Sequence, residues 1–85
     1  MYEWDERKRE MNLAKHGVDF AAMESFEWEG ALEFMDRRYV EPRWVAIGYI
    51  DLKLHTVVYT ERDDLIRVIS LRKATPREQR HYAET

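Results

Sequence analysis

Eighty-five residues carrying 14 Lys and Arg against 17 Asp and Glu make one small, slightly acidic domain spanning 1–85, with no room for a second. The absence of cysteine excludes a disulfide scaffold, a thiolate zinc site and a cysteine nucleophile. No apolar run is longer than four residues, as in Trp44-Val45-Ala46-Ile47, far short of the roughly 20 residues of a membrane span, so a cytoplasmic domain without membrane contact is expected.

In chain order, Asp5 to His16 reads as a helix: acids open it, and Lys15-His16-Gly17 ends it with cations near its negative pole and a residue suited to left-handed backbone. Trp4, Met11 and Ala14 form its expected apolar seam. A second helix is expected from an Asp19 cap to about Trp28, with Phe20, Met23 and Phe26 turned to the core. The period then changes from 3.6 to 2. Strands are expected over 31–35, 43–50, 54–60 and 65–72, joined by turns at Asp51-Leu52-Lys53 and Asp63-Asp64. Thr75-Pro76-Arg77-Glu78 has the form of a capping box with proline at the first helical position, opening a last helix to about Ala83. The expected fold is α+β, in the order α-α-β-β-β-β-α, with the strands as an antiparallel meander packed with helices.

Charge is unevenly divided along this plan. Residues 18–36 hold six acids and no base, whereas 65–85 hold Arg67, Arg72, Lys73, Arg77 and Arg80 against two acids. A basic C-terminal third can meet phosphate, or it can simply solvate a surface.

Candidate chemistry clusters in two places. Lys8, Asn12, Lys15 and His16 share one helical face, where cations, an amide and an imidazole could grip a phosphate and move a proton near neutral pH. The plainer reading is that Lys15 and His16 only cap the helix. On the fourth predicted strand, Arg67 lies on one face with Ser70 and Arg72 on the other. Guanidinium forks suit phosphate oxygens, and the competing role for Arg67 is a salt bridge to a carboxylate such as Glu61. His55 reads as a surface residue. No glycine-rich nucleotide loop and no metal-ligand spacing is present.

Trp4-Asp5-Glu6-x-Lys8, Asn12, Lys15-His16-Gly17-Val18 and Phe20 together resemble the N-terminal signature of the BrnT toxins. The resemblance continues through Asp36-Arg37, Arg43, Val57-Val58-Tyr59-Thr60 with Arg62, Ile66 to Ser70, Arg72-Lys73-Ala74, Glu78 and Tyr82. It implies a RelE-like ribonuclease, the toxin of a type II toxin–antitoxin pair, which cleaves RNA without metal or other cofactor and arrests translation. It also implies a BrnA-like antitoxin as partner, in a heterotetramer of two toxins and two antitoxins, with operator DNA reached only through the antitoxin. In that role His16, Arg67 and Arg72 are the expected catalytic residues. Lys8, Asn12, Lys15, Arg77 and Arg80 are expected to position the RNA backbone, and Tyr82 or Trp4 to stack a base. Glu78 is expected to serve its capping box, a general base being the other role open to it. The rival function is a non-catalytic, antitoxin-binding module acting in transcriptional autoregulation.

Overall fold

A computed structural model describes residues 1–85. Strand β1 (Tyr2–Glu3) leads into helix α1 (Glu6–His16), a 3₁₀ helix (Phe20–Ser25), strands β2 (Leu32–Asp36), β3 (Arg43–Ile50), β4 (Lys53–Arg62) and β5 (Leu65–Lys73), and helix α2 (Pro76–Ala83). The five strands form one sheet in the order β1-β5-β4-β3-β2. From β2 to β5 it is the expected antiparallel meander. The unexpected addition is β1, which pairs parallel to β5 through Tyr2↔Ile66 and Glu3↔Arg67 and makes the sheet mixed.

Local chemistry sets the element ends. The Asp5 carboxylate accepts from the Arg7 N–H and caps α1, and Gly17 closes it at φ 72° with its N–H donating to the Leu13 carbonyl. The β4–β5 turn holds Asp63 and Asp64 at φ 46° and 70°, as a two-residue turn matching strand twist requires. Asp19 caps the next helix as expected, but that helix is 3₁₀ and stops at Ser25, because Phe26 leaves it to bridge Ile50 of β3.

The core lies between the 3₁₀ segment and one face of the sheet. Val18, Phe20, Met23 and Phe26 pack on Ala46, Ile50, Val57, Tyr59, Val68 and Leu71. Gly48 is required here, since a Cβ at that position would stand 2.7 Å from Cζ of Phe26. Trp28 packs edge-on against Phe26 and Tyr59, and its indole N–H donates to the Tyr2 hydroxyl at 2.6 Å. Trp4 lies edge-on to Phe20, so it serves the core.

Helix α1 departs from the expected seam. Met11 is 65% exposed and Leu13 41%, while Asn12 is buried. Beyond the two-residue β1 the outer edge of β5 lacks a strand, and the Asn12 amide takes the strand's place: it accepts from the Leu71 N–H at 3.2 Å and donates to the Leu71 carbonyl at 2.7 Å and the Val18 carbonyl at 3.0 Å. Asn12, expected as an RNA contact, therefore has its amide engaged in a structural role. Asn12→Ala should destabilise the fold by about 2–4 kcal/mol, read by urea unfolding, because it strands buried backbone groups at about 1–3 kcal/mol each. Destabilisation below about 1 kcal/mol would show that water replaces the amide freely. His55 is also buried rather than superficial, with Nδ1 at 2.9 Å from the Lys53 carbonyl.

A basic face as candidate active site

The sheet face opposite the 3₁₀ segment carries the candidate site, and a single irregularity in β5 composes it. Register runs Thr56↔Arg72, Val57↔Leu71, Val58↔Ser70 and then jumps to Tyr59↔Val68 and Thr60↔Arg67. Ile69 is the extra residue of a β-bulge. Simple alternation separates Arg67 from Arg72; the bulge inserts one residue between them and corrects that expectation. Arg67, Ser70 and Arg72 stand on one face beside Thr60, Val58 and Thr56, while Val68 and Leu71 both stay in the core.

Three clefts meet at Ile69. Between α1 and β5 lies an open groove of about 530 Å³ whose polar lining is Lys8, Asn12, Lys15, His16 and Ser70. Towards the β4–β5 turn, a cleft of about 340 Å³ has Lys8, Arg43, Arg62 and Arg67 in its lining against one acid, Glu41, with Tyr39 and Thr60 beside them. A third, of about 270 Å³, includes Val45, Val58, Ser70, Arg72 and Glu78. Lys8, Lys15, Arg43, Arg62, Arg67 and Arg72 thus surround one continuous depression, and such a concave basic surface concentrates potential towards an anionic ligand. The exposed acids Glu24, Glu27 and Glu29 belong to the segment covering the other face. The net charge of −3 hides a division between the two faces.

The two arginines of β5 are held differently. Arg67 reaches Glu3 of β1, not Glu61, at 3.6 Å, a loose pair with both side chains about one-third exposed. Arg72 makes a fork with Glu78: Nη1 donates to Oε1 at 2.7 Å and Nη2 to Oε2 at 2.9 Å. Glu78 also completes the capping box of α2, receiving the Thr75 N–H at 2.8 Å, and accepts from the Thr56 hydroxyl at 3.0 Å. Burial opposes ionisation of Glu78, yet the bonds from Arg72, Thr75 and Thr56 outweigh it and hold the carboxyl at about 2. A carboxylate so acidic is a poor general base, and its role is to hold Arg72.

His16 ends α1 at the groove. Partial burial, followed by the positive charges of Lys15 and Arg72, lowers its pKa below the usual 6.5, so the ring is neutral at neutral pH. The influence of Arg72 on His16 ties the helix groove to the β5 face.

Of the expected site residues, the depression gathers Lys8, Asn12, Lys15, His16, Arg67 and Arg72, with the Asn12 amide already engaged by backbone groups. Those of α2 stand apart from it. Arg77 lines an adjoining recess with Phe34, Ile47 and His81. Arg80 is exposed and lines none of these clefts. Tyr82 donates its hydroxyl to the Gly30 carbonyl at 3.1 Å and rests edge-on against Tyr49, fastening α2 to the chain before β2. Sequence reasoning missed Arg43, Arg62 and Tyr39 as lining residues. Strand alternation carried a signal for the arginines, because Arg43 and Val45 on β3 share a face with Val58, Thr60 and Arg62 on β4. Tyr39 lies in the loop before β3, with the Arg43 guanidinium 4.1 Å above its ring.

Comparison with known proteins points the same way. A family model described as the ribonuclease toxin BrnT of type II toxin–antitoxin systems matches residues 4–78. The fold is similar to the crystal structure of the ribonuclease toxin BrnT from Brucella abortus, with a TM-score of 0.71 and 36% identity over 88% of this chain and 97% of that one. No curated protein sequence matches.

Proposed function

Because the chain belongs to the BrnT family of ribonuclease toxins of type II toxin–antitoxin systems, we propose that it cleaves RNA on the basic β4–β5 face without a metal ion. One observation carries the proposal: the bulge at Ile69 sets Arg67 and Arg72 on one face, beside a groove that ends in a neutral His16. Neutral imidazole accepts the proton of a ribose 2′-hydroxyl. The 2′-oxygen then attacks the adjacent phosphorus as the bond to the 5′-oxygen breaks, and water protonates the departing oxygen. Arg72 and Arg67 meet the charge gathering on the phosphorane oxygens. Lys8, Lys15, Arg43 and Arg62 hold neighbouring phosphates. The products carry a 2′,3′-cyclic phosphate and a 5′-hydroxyl. The metal-free reading is supported by the residues themselves, since no three His, Asp or Glu side chains converge as a ligand set.

In this reading the chain acts in the cytoplasm and arrests translation. A BrnA-like antitoxin silences it by laying acidic side chains on the same depression, in an assembly of two toxins and two antitoxins, and operator DNA is reached through the antitoxin. Association should then slow as salt rises, since charged rims chiefly steer encounter. Stopped-flow association that ignores salt would contradict electrostatic steering.

The function is tested by incubating the purified chain with RNA in excess chelator. Undiminished cleavage leaving 2′,3′-cyclic ends is expected. Loss of cleavage in chelator, restored by magnesium, would overturn metal independence. An absence of cleavage under both conditions favours the antitoxin-binding module.

A further inference from the structure

Of the two arginines of β5, Arg72 is the one gripped bidentately at its terminal edge by a carboxylate, and that carboxylate is itself fixed from below. Glu78 engages Nη1 and Nη2 of the guanidinium and Nη1 also reaches the Lys73 carbonyl at 3.5 Å, which leaves the Nε–H and one Nη2–H as donors. Oε1 of Glu78 receives three donors: Arg72, the Thr75 backbone N–H and the Thr56 hydroxyl. Two of these belong to the site residue and to the helix cap. Thr56 belongs to neither.

Thr56 is a hydroxyl on a central strand, fully buried, directly opposite Arg72 in the β4–β5 register. A valine at that position would suit the strand equally well and avoid burying a polar atom. Its hydroxyl has one protein partner, the carboxylate holding Arg72. Threonine is stiff at χ1, so a donor mounted on the sheet is a fixed reference against which the Glu78 carboxylate cannot rotate.

We propose that Thr56 is a positioning residue for RNA cleavage: through Glu78 it fixes the plane of the Arg72 guanidinium so that its free Nε edge is presented to the scissile phosphate. The inference rests on the ribonuclease reading above. Without Thr56, Glu78 keeps Arg72 and the cap but gains freedom to turn, and Arg72 turns with it. Small misplacement of a transition-state donor costs rate more than binding, because the neighbouring cations still hold the RNA.

The test compares Thr56→Val, which keeps the shape and removes the hydroxyl, with Thr56→Ser, which keeps the hydroxyl, in the full chain with an RNA oligonucleotide as substrate. Thr56→Val should lower kcat by about 10- to 100-fold with KM nearly unchanged, the range typical for loss of a group that orients a functional one. Thr56→Ser should retain most of the rate. In a Glu78→Gln background, adding Thr56→Val should change kcat little, because the hydroxyl acts only through that carboxylate. A Thr56→Val rate equal to wild type would overturn the proposal, as would equal losses in the Val and Ser variants or full additivity with Glu78→Gln. Should Thr56→Val not fold, rate loss in Thr56→Ser would count against the proposal and retention for it. Arg72→Ala separates this inference from the function beneath it: a fully active Arg72→Ala removes the ribonuclease role of Arg72, whereas an inactive Arg72→Ala beside a fully active Thr56→Val removes only the role of Thr56.

Discussion

Arg72→Ala is expected to lower the single-turnover rate of RNA cleavage by about 10²- to 10⁴-fold, the range for removing a positioned donor or arginine from a transition state. The guanidinium is part-buried and bidentate to Glu78, so it is oriented before RNA arrives. Arg72→Lys should recover little, because an ammonium cannot span both carboxylate oxygens and still present a second edge. The same change also weakens acid resistance. Glu78 sits at about 2 in the folded chain, below its ordinary 4.5, so it adds stability above about pH 4.5 that is lost as pH falls towards 2. Without Arg72 the largest support for that depressed value is gone, and the variant should unfold at higher pH in acid titrations followed by circular dichroism. Arg67→Ala should slow cleavage by a smaller factor, since Arg67 is only loosely paired with Glu3. Wild-type rates in both variants would remove arginine from the chemistry. Unfolding of Arg67→Ala would instead mark the Glu3 pair as structural.

His16→Ala should cut the rate by about 10²- to 10⁴-fold and, more tellingly, change its pH dependence. A general base must be unprotonated. The wild-type kcat/KM should therefore rise about tenfold per pH unit in acid and level off at the His16 pKa. Burial, Lys15 and Arg72 lower that pKa, so levelling should come below pH 6.5, with a flat profile through neutrality. Arg72→Ala removes one of the lowering charges and should move the levelling point upward in whatever activity remains. An acid limb surviving intact in His16→Ala would assign the titration to another group.

Much of this architecture is legible in the residues. The bounds of β3, Arg43–Ile50, follow from its apolar content between Pro42 and the Asp51 turn, and the α2 cap follows from Thr75, Pro76 and Glu78. What was hidden has physical causes. Strand β1 is only Tyr2–Glu3, too short to show a period, and it forms because β5 offers an open edge. The Ile69 bulge leaves no mark, since Val-Ile-Ser suits a strand with or without an extra residue; only the pairing with β4 shows that Arg67 and Arg72 share a face. Asn12 resembles its helical neighbours until the unpaired Leu71 backbone explains why an amide points inward where a hydrophobe is expected. His16 was legible as a candidate from its residue type, but its lowered pKa comes first from partial burial in the groove, then from Lys15 and from Arg72 of β5, and of these spacing along α1 reveals only Lys15. The place of the C-terminal arginines, outside the three clefts, was hidden for a similar reason. Their charge is plain in the sequence, whereas the direction in which α2 turns them depends on Glu78 and Tyr82 docking onto the sheet and the Gly30 carbonyl.

The central claim is that RNA lies on the bulged β5 face, and the most direct measurement is a titration of the isotope-labelled chain with a 2′-O-methylated RNA that it cannot cleave, followed by NMR. Amide and side-chain shifts should concentrate at His16, Arg43, Thr60, Arg67, Ser70 and Arg72. Shifts confined to Arg77, Arg80 and the outer surface of α2, or to the acidic 3₁₀ side around Glu24 and Glu27, would contradict it.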